Sequence, residues 1–191
     1  NLNTLSIDLC SDIISLEISE LPNLSHVTAA NNINLTNLQI SELSNLHTLI
    51  IDNNEALVNL NNIYQLNNLT QITVISNSNL ISLPDLNNFP NLTHLTLNDN
   101  GLNDLGNLSA LSNLTFLRIS NQNDLMYLPD FSGLPNLDSL RISSNANITI
   151  IPDLSSLENL SYCFISNANL NCIEGIPPQY SETDFNYPIC A

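Results

Sequence analysis

The chain has 191 residues, 18 of them acidic; Arg118 and Arg141 are its only lysine-class or arginine-class cations, and the formal net charge is −16. A field of that sign repels nucleic acid and anionic membrane surfaces and excludes both as partners. Yet only 10% of residues are charged and 43% are apolar, so the chain is no disordered acidic tail and has material for one sizeable core.

Nothing in it reaches the roughly 18 consecutive apolar residues of a membrane helix. It opens on Asn1 rather than Met and shows no signal peptide. That points to a processed chain or a piece of a longer one, and both suit an exported protein.

From its first residues the sequence repeats itself. The segment NLTHLTLNDN (91–100) sets a template of Leu, two residues, Leu, one residue, Leu, two residues, Asn. Matching segments begin at Leu2, Leu24, Leu46, Leu69, Leu92, Leu114, Leu137 and Leu160, in steps of 22, 22, 23, 23, 22, 23 and 23 residues. The Asn slot holds Cys10, Asn32, Asn54, Asn77, Asn100, Gln122 and Asn145; in the last copy it falls on Ala168, between Asn167 and Asn169.

Leucines two apart point to one face of a strand, and the residues between them point to the other. One such strand cannot bury its apolar face, whereas eight stacked strands form a parallel sheet over a continuous core. The Asn slot asks for a side chain that both donates and accepts, placed where the chain leaves each strand. Apolar pairs downstream, such as Leu80 with Leu83 and Leu125 with Leu128, seal the far side. The segments LPDL (83–86), LPDF (128–131) and IPDL (151–154) predict a proline stop followed by an Asp-capped turn. Repeats this short leave room for a turn of helix at most.

Leucines at this spacing with Asn or Cys in the turn form the leucine-rich-repeat pattern. With LSNL or FPNL leading the strands, it resembles the internalin-like repeats of secreted bacterial surface proteins over nearly the whole chain. The resemblance implies an α/β solenoid, mostly strand and loop: a horseshoe of about eight repeats with a parallel concave sheet. Residues 1–170 would form the solenoid and 171–191 a C-terminal cap. The resemblance also implies binding of a host protein or glycan through the concave face. No known partner-site residue carries over, because concave residues differ between members.

The two ends read differently. Leu2, Leu5 and Ile7 already make a full repeat with no polar cap before it, an exposed sheet edge. The segment NCIEGIPPQYSETDFNYPIC (171–190) breaks the pattern, and a Cys172–Cys190 disulfide is expected to close it, with Cys163–Cys172 as the rival pairing. Cys10 and Cys163 fall in repeat slots and are expected as buried thiols. A bridge would mean an oxidising compartment. Eight Asn-X-Ser/Thr sequons, at Asn23, Asn34, Asn68, Asn91, Asn107, Asn113, Asn147 and Asn159, are candidate N-glycosylation sites. The repeat consensus NLT or NLS spells the same triplet for its own reasons.

No catalytic motif is present: no G-x-S-x-G, phosphate loop, H-E-x-x-H or C-x-x-C. His26 and His94 lie three strands apart, about 14 Å at sheet spacing, too far for one metal. The sequence therefore predicts no enzyme, no cofactor and no metal.

The outward strand positions are what remains for function. They begin rich in Thr with Asp8 and Asp52, and end with Phe116, Arg118, Arg141, Tyr162 and Phe164. Together with His94 and Thr96 these are the candidate ligand-binding residues. The repeat does not require arginine there, and Arg with aromatics marks recognition hot spots. The competing reading is charge relief, each arginine paired with a carboxylate such as Asp99, Asp124 or Asp138. The sequence thus predicts a secreted or cell-surface recognition and adhesion module for a protein or glycan. The alternative is a structural subunit of an extracellular filament or surface layer that self-associates through its solenoid ends. A grip on a single enzyme, as inhibitor or decoy, is a third reading.

Overall fold

The computed structural model describes residues 2–167 and 169–190. The repeats become strands β1 (Thr4–Asp8), β3 (His26–Ala30), β5 (Thr48–Asp52), β6 (Gln71–Ile75), β7 (His94–Asn98), β8 (Phe116–Ser120), β9 (Ser139–Ser143) and β11 (Tyr162–Ser166). All eight join in sequence order into one parallel sheet. The register never slips, so equivalent residues of successive repeats are direct neighbours, from Thr4 beside His26 to Tyr162 beside Ser139. The chain is thus a parallel solenoid of about eight turns with almost no helix, as the spacing predicts.

The alternation within each strand explains the sheet. In β7 Leu95 and Leu97 are buried while His94, Thr96 and Asn98 face away from the core. The same holds for Leu49 and Ile51, Leu117 and Ile119, and Leu140 and Ile142. The leading leucines, Leu24 to Leu160, are buried with them, and so are Phe89 and Phe131.

The Asn slot forms a buried ladder. Asn77 Nδ2 donates to the carbonyls of Ile51 and Ile75, at 3.1 and 2.7 Å, and its Oδ1 accepts from the backbone N–H of Asn54 at 2.9 Å. Asn54, Asn100 and Asn145 likewise donate one strand back, to Ala29, Val74 and Ile119. Such bonds satisfy backbone groups that a buried turn would otherwise strand. The residue before most rungs is left-handed, as at Asn31, Asn53, Ser76, Asp99, Asn121 and Ser144. Asn and Asp suit that role; Leu9, with φ 56°, does not.

Gln122 breaks the ladder. Its longer side chain turns back so that Nε2 donates to Ser120 O of its own turn, and Oε1 is buried without a partner. The last rung also departs from the spacing. Asn145 N–H donates to Asn167 Oδ1 at 3.0 Å, so Asn167 holds the slot. The sequence count placed it on Ala168, which lies outside the described residues. The turn leaving β11 is one residue shorter than the count assumes.

The back of the solenoid is more varied. Strands β2 (Ser15–Ile18) and β4 (Asn37–Ile40) pair in parallel, and β10 (Ile150–Ile151) pairs with β12 (Cys172–Ile173). Between them the PD turns take over: Asp85 caps a 3₁₀ turn over Leu86–Asn88, and Asp130 and Asp153 accept from the N–H groups of Ser132 and Ser155. Gly101 serves the fifth turn, where a Cβ would lie 2.3 Å from Ser78 O.

A Cys172–Cys190 disulfide ties the C-terminal segment, and Ile176, Tyr180, Phe185, Tyr187 and Ile189 pack against the core. The free thiols Cys10 and Cys163 are partly exposed rather than buried, because each belongs to an outermost turn with a neighbour on one side only. Burial still pushes the Cys163 thiol up to about 12.

Candidate recognition face

The outward residues of the last four main strands form one block because the register is exact there. One row reads His94, Phe116, Ser139, Tyr162 and the next reads Thr96, Arg118, Arg141, Phe164. All seven candidate residues lie in these two rows. Parallel neighbours sit about 4.8 Å apart, so Arg118 and Arg141 are adjacent at the backbone.

Contacts within the block set its shape. His94 stacks on Phe116, with ring centroids 5.8 Å apart and planes 20° apart. The Arg141 guanidinium lies over the Tyr162 ring at 4.8 Å and over the Phe116 ring at 5.9 Å. Arg141 thus turns toward the row of Phe116, Ser139 and Tyr162, away from the side on which Arg118 bonds Ser120. Tyr162 and Phe164 remain 43% and 45% exposed on the last strand of the sheet.

Arg118 is held from behind. Its Nε–H donates to Ser120 Oγ at 3.0 Å, and Ser120 Oγ–H donates to Asn98 Oδ1 at 2.8 Å. Asn98 Oδ1 also accepts from Asn121 Nδ2 at 2.9 Å. Sequence reading missed Ser120 and Asn98, since Ser also fills this slot at Ser143 and Ser166, with no arginine bond there. Neither arginine forms an ion pair among the described residues, so the expected carboxylates Asp99, Asp124 and Asp138 do not hold them. No cluster of three metal-ligating side chains occurs among the described residues.

The sequons lie elsewhere, on the flanks. Asn68, Asn91, Asn113 and Asn159 precede the leading leucines, and each Nδ2 donates to a backbone carbonyl of the previous turn: Ser44, Asn67, Pro90 and Pro135. The hydroxyls two residues on do the same, Thr70 to His47, Thr93 to Thr70 and Thr115 to Thr93. The triplet Asn-Leu-Thr is therefore a structural rung: two donors reach back around one buried leucine. Asn45 and Asn136 make the same bond without a sequon. Asn34 and Asn147 reach back to Ser11 and Asn123 on the other flank. Asn23 starts the first such triplet. At Asn107 the geometry differs: its Oδ1 accepts from Ser109 N–H in a local turn.

No family profile and no curated protein matches the chain. Among solved structures it is similar to the functional domain of InlJ from Listeria monocytogenes, described as including a cysteine ladder. Identity is 18% and the TM-score 0.35, over 89% of this chain and 50% of that one. It is also similar to the internalin InlF of Listeria monocytogenes, with 17% identity and a TM-score of 0.27 over 95% of this chain and 87% of that one. The chain spans about half the length of the InlJ domain.

Proposed function

We propose that this leucine-rich-repeat solenoid is the recognition and adhesion module of a secreted or cell-surface protein. It grips a partner with the outward face of β7, β8, β9 and β11. The observation that carries this reading is the cluster of rings and guanidinium groups without ion pairs, in which Arg141, Tyr162 and Phe164 are exposed. Exposed aromatics beside arginine are the side chains that dominate binding energy at interfaces. A protein partner fits this composition best; a glycan is the other ligand class the sequence allows. An extracellular or surface location accords with the Cys172–Cys190 bridge. No helix among the described residues is long and apolar enough to cross a membrane.

The test is a panel of surface proteins and glycans probed with the parent chain and with a Tyr162→Ser, Phe164→Ser double variant. A ligand bound by the parent and lost by the variant supports the reading. Ligands bound equally by both would move the site off this face.

The filament reading has one observation in its favour. On the first turn Leu2, Leu9 and Ile14 are 47%, 75% and 64% exposed, beside the open edge of β1. Sedimentation over a wide concentration range separates the two: growth into open-ended species supports assembly, and a constant monomer removes it.

A further inference from the structure

We infer that Asn107 is the attachment site for an N-linked sugar in the folded chain, and that the other sequon asparagines serve the fold instead. This goes beyond the recognition reading and does not depend on it.

Asn107 fills a turn slot that aspartate fills elsewhere. It stands seven residues before the leading leucine Leu114, as Asp85, Asp130 and Asp153 stand seven before Leu92, Leu137 and Leu160. All four make the same turn. Asp85 Oδ1 accepts from Asn87 N–H, Asp130 from Ser132, Asp153 from Ser155, and Asn107 from Ser109, at 2.8 to 3.1 Å. Such a turn uses one side-chain oxygen, and three of the four draw it from a carboxylate. The amide nitrogen of Asn107 is therefore not needed for the fold. It forms no hydrogen bond among the described residues, and neither does the Ser109 hydroxyl. Asn107 and Ser109 are exposed on either side of the buried Leu108. Asn107 also borders a cleft of about 220 Å³ with Asp85, Asn87 and Asp104, which leaves room for a sugar.

The remaining sequons are in the opposite state. Attachment breaks the bond between C1 of a nucleoside-diphosphate sugar and its phosphate oxygen and forms a C1–Nδ2 bond. Nδ2 gives up a proton, and the nucleoside diphosphate leaves. The nitrogen must therefore face the sugar donor. At Asn68, Asn91 and Asn113 it is turned back onto a carbonyl of the preceding turn, at 2.6, 2.8 and 2.9 Å. The threonine hydroxyls that complete these triplets are bound to carbonyls as well. Asn34 and Asn159 show the same double engagement, through Thr36 and Ser161. The nitrogen of Asn147 bonds Asn123 O, and the Ser25 hydroxyl that follows Asn23 bonds Asn3 O. Of the eight, the Asn107 triplet alone keeps both its nitrogen and its hydroxyl free among the described residues.

The folded full chain is incubated with UDP-glucose and a soluble N-glycosyltransferase that places one glucose on Asn-X-Ser/Thr, and each sequon is followed by glycopeptide mass spectrometry. Asn107 is expected to be modified about tenfold faster than Asn68, Asn91 and Asn113, whose nitrogens must first leave their carbonyls. Proteolytic peptides that hold the same sequons have no neighbouring turn to bind and are expected to lose this preference. An Asn107→Asp variant is expected to lose this glucose alone and to keep the parent's melting midpoint, since Asp caps the sister turns. Equal rates across the folded sequons, or no glucose on Asn107, overturn the inference. A clearly lower midpoint for the variant overturns it too, because the nitrogen would then serve the fold. So does a preference for Asn107 that persists in the peptides, because local sequence rather than the fold would then select it.

Discussion

At the N-terminal end, β1 has a neighbour on one side only, and Leu5 and Ile7 are half-buried where the same slots in β5 or β7 are sealed. At the C-terminal end, β11 shows the same half-buried pattern, yet a separate segment finishes the turn. The Tyr187 hydroxyl accepts from Asn167 N–H at 3.0 Å and donates to Asn167 O at 2.9 Å. The difference follows from the direction of the ladder. Apart from Asn100, whose next rung is Gln122, each rung's N–H is satisfied by the Oδ1 of the next rung, as Asn32 by Asn54 and Asn54 by Asn77. The last rung has no successor, so an acceptor must come from outside the repeat. At the first rung, Cys10 N–H already bonds Asn32 Oδ1. Repeats thus borrow their satisfaction from one side, and only one end of the ladder requires a foreign residue to complete it.

Opening the Cys172–Cys190 loop should have the largest effect on this contrast. For a sequence separation of 18, a Cys172→Ser, Cys190→Ser variant is expected to lose about 3 kcal/mol in denaturant unfolding. Amide exchange should rise at β9 and β11 and stay unchanged at β3 and β5. Uniform loosening along the whole chain would mean the ends are not independent.

Next comes Tyr187→Phe, which strands the Asn167 N–H and carbonyl. About 2 kcal/mol should be lost, again confined to the C-terminal turns, measured by thermal unfolding with exchange.

In the middle, Gln122→Asn is expected to restore the rung, giving Oδ1 the Asn100 N–H and Nδ2 a carbonyl one strand back. Stability should rise by about 1 kcal/mol; a loss would show that the turn has adapted to glutamine.

At the open end, Leu9→Asn relieves a left-handed leucine that is 75% exposed. A gain of up to about 1 kcal/mol in unfolding free energy is expected, read as a higher melting midpoint. No gain would mean that Leu9 contributes packing the first turn needs.

A pH series sharpens the comparison last, because stability varies with this group only in the alkaline range. Folding raises the Cys163 pKa from 9.0 to about 12 by burial. The folded chain therefore binds that proton more tightly. The stability it contributes is full below pH 9.0 and is lost as pH rises toward about 12. Cys163→Ala should remove that part of the alkaline slope, and an unchanged slope would place its origin elsewhere.

Much of the fold was legible in the chain before any coordinate. Period-two leucines inside a 22- or 23-residue period leave only stacked parallel strands, since no single turn buries its own apolar face. The PD turns and the scarcity of helix followed from local chemistry. The columns of outward residues were legible too, because an unbroken register makes sequence columns into spatial rows. Three features were not. Gln122 sits in the right column, yet one extra methylene aims its amide at the wrong carbonyl. Asn167 rather than Ala168 takes the last rung, because turn length at the cap is set by what packs there. The arginines, legible as neighbours, gave no hint that Ser120 and aromatic rings rather than carboxylates hold them.

Sequence by itself determined the repeat, its period, the core and the face left for a ligand, because those depend on spacing along one chain. Tertiary structure alone decided which donors reach which acceptors across turns: the rungs hidden in the sequons, the break at Gln122, the Tyr187 closure and the unpaired guanidinium edges. Those choices rest on differences of a few tenths of an ångström in side-chain reach, many of them between residues 20 or more positions apart, which no pattern of letters encodes.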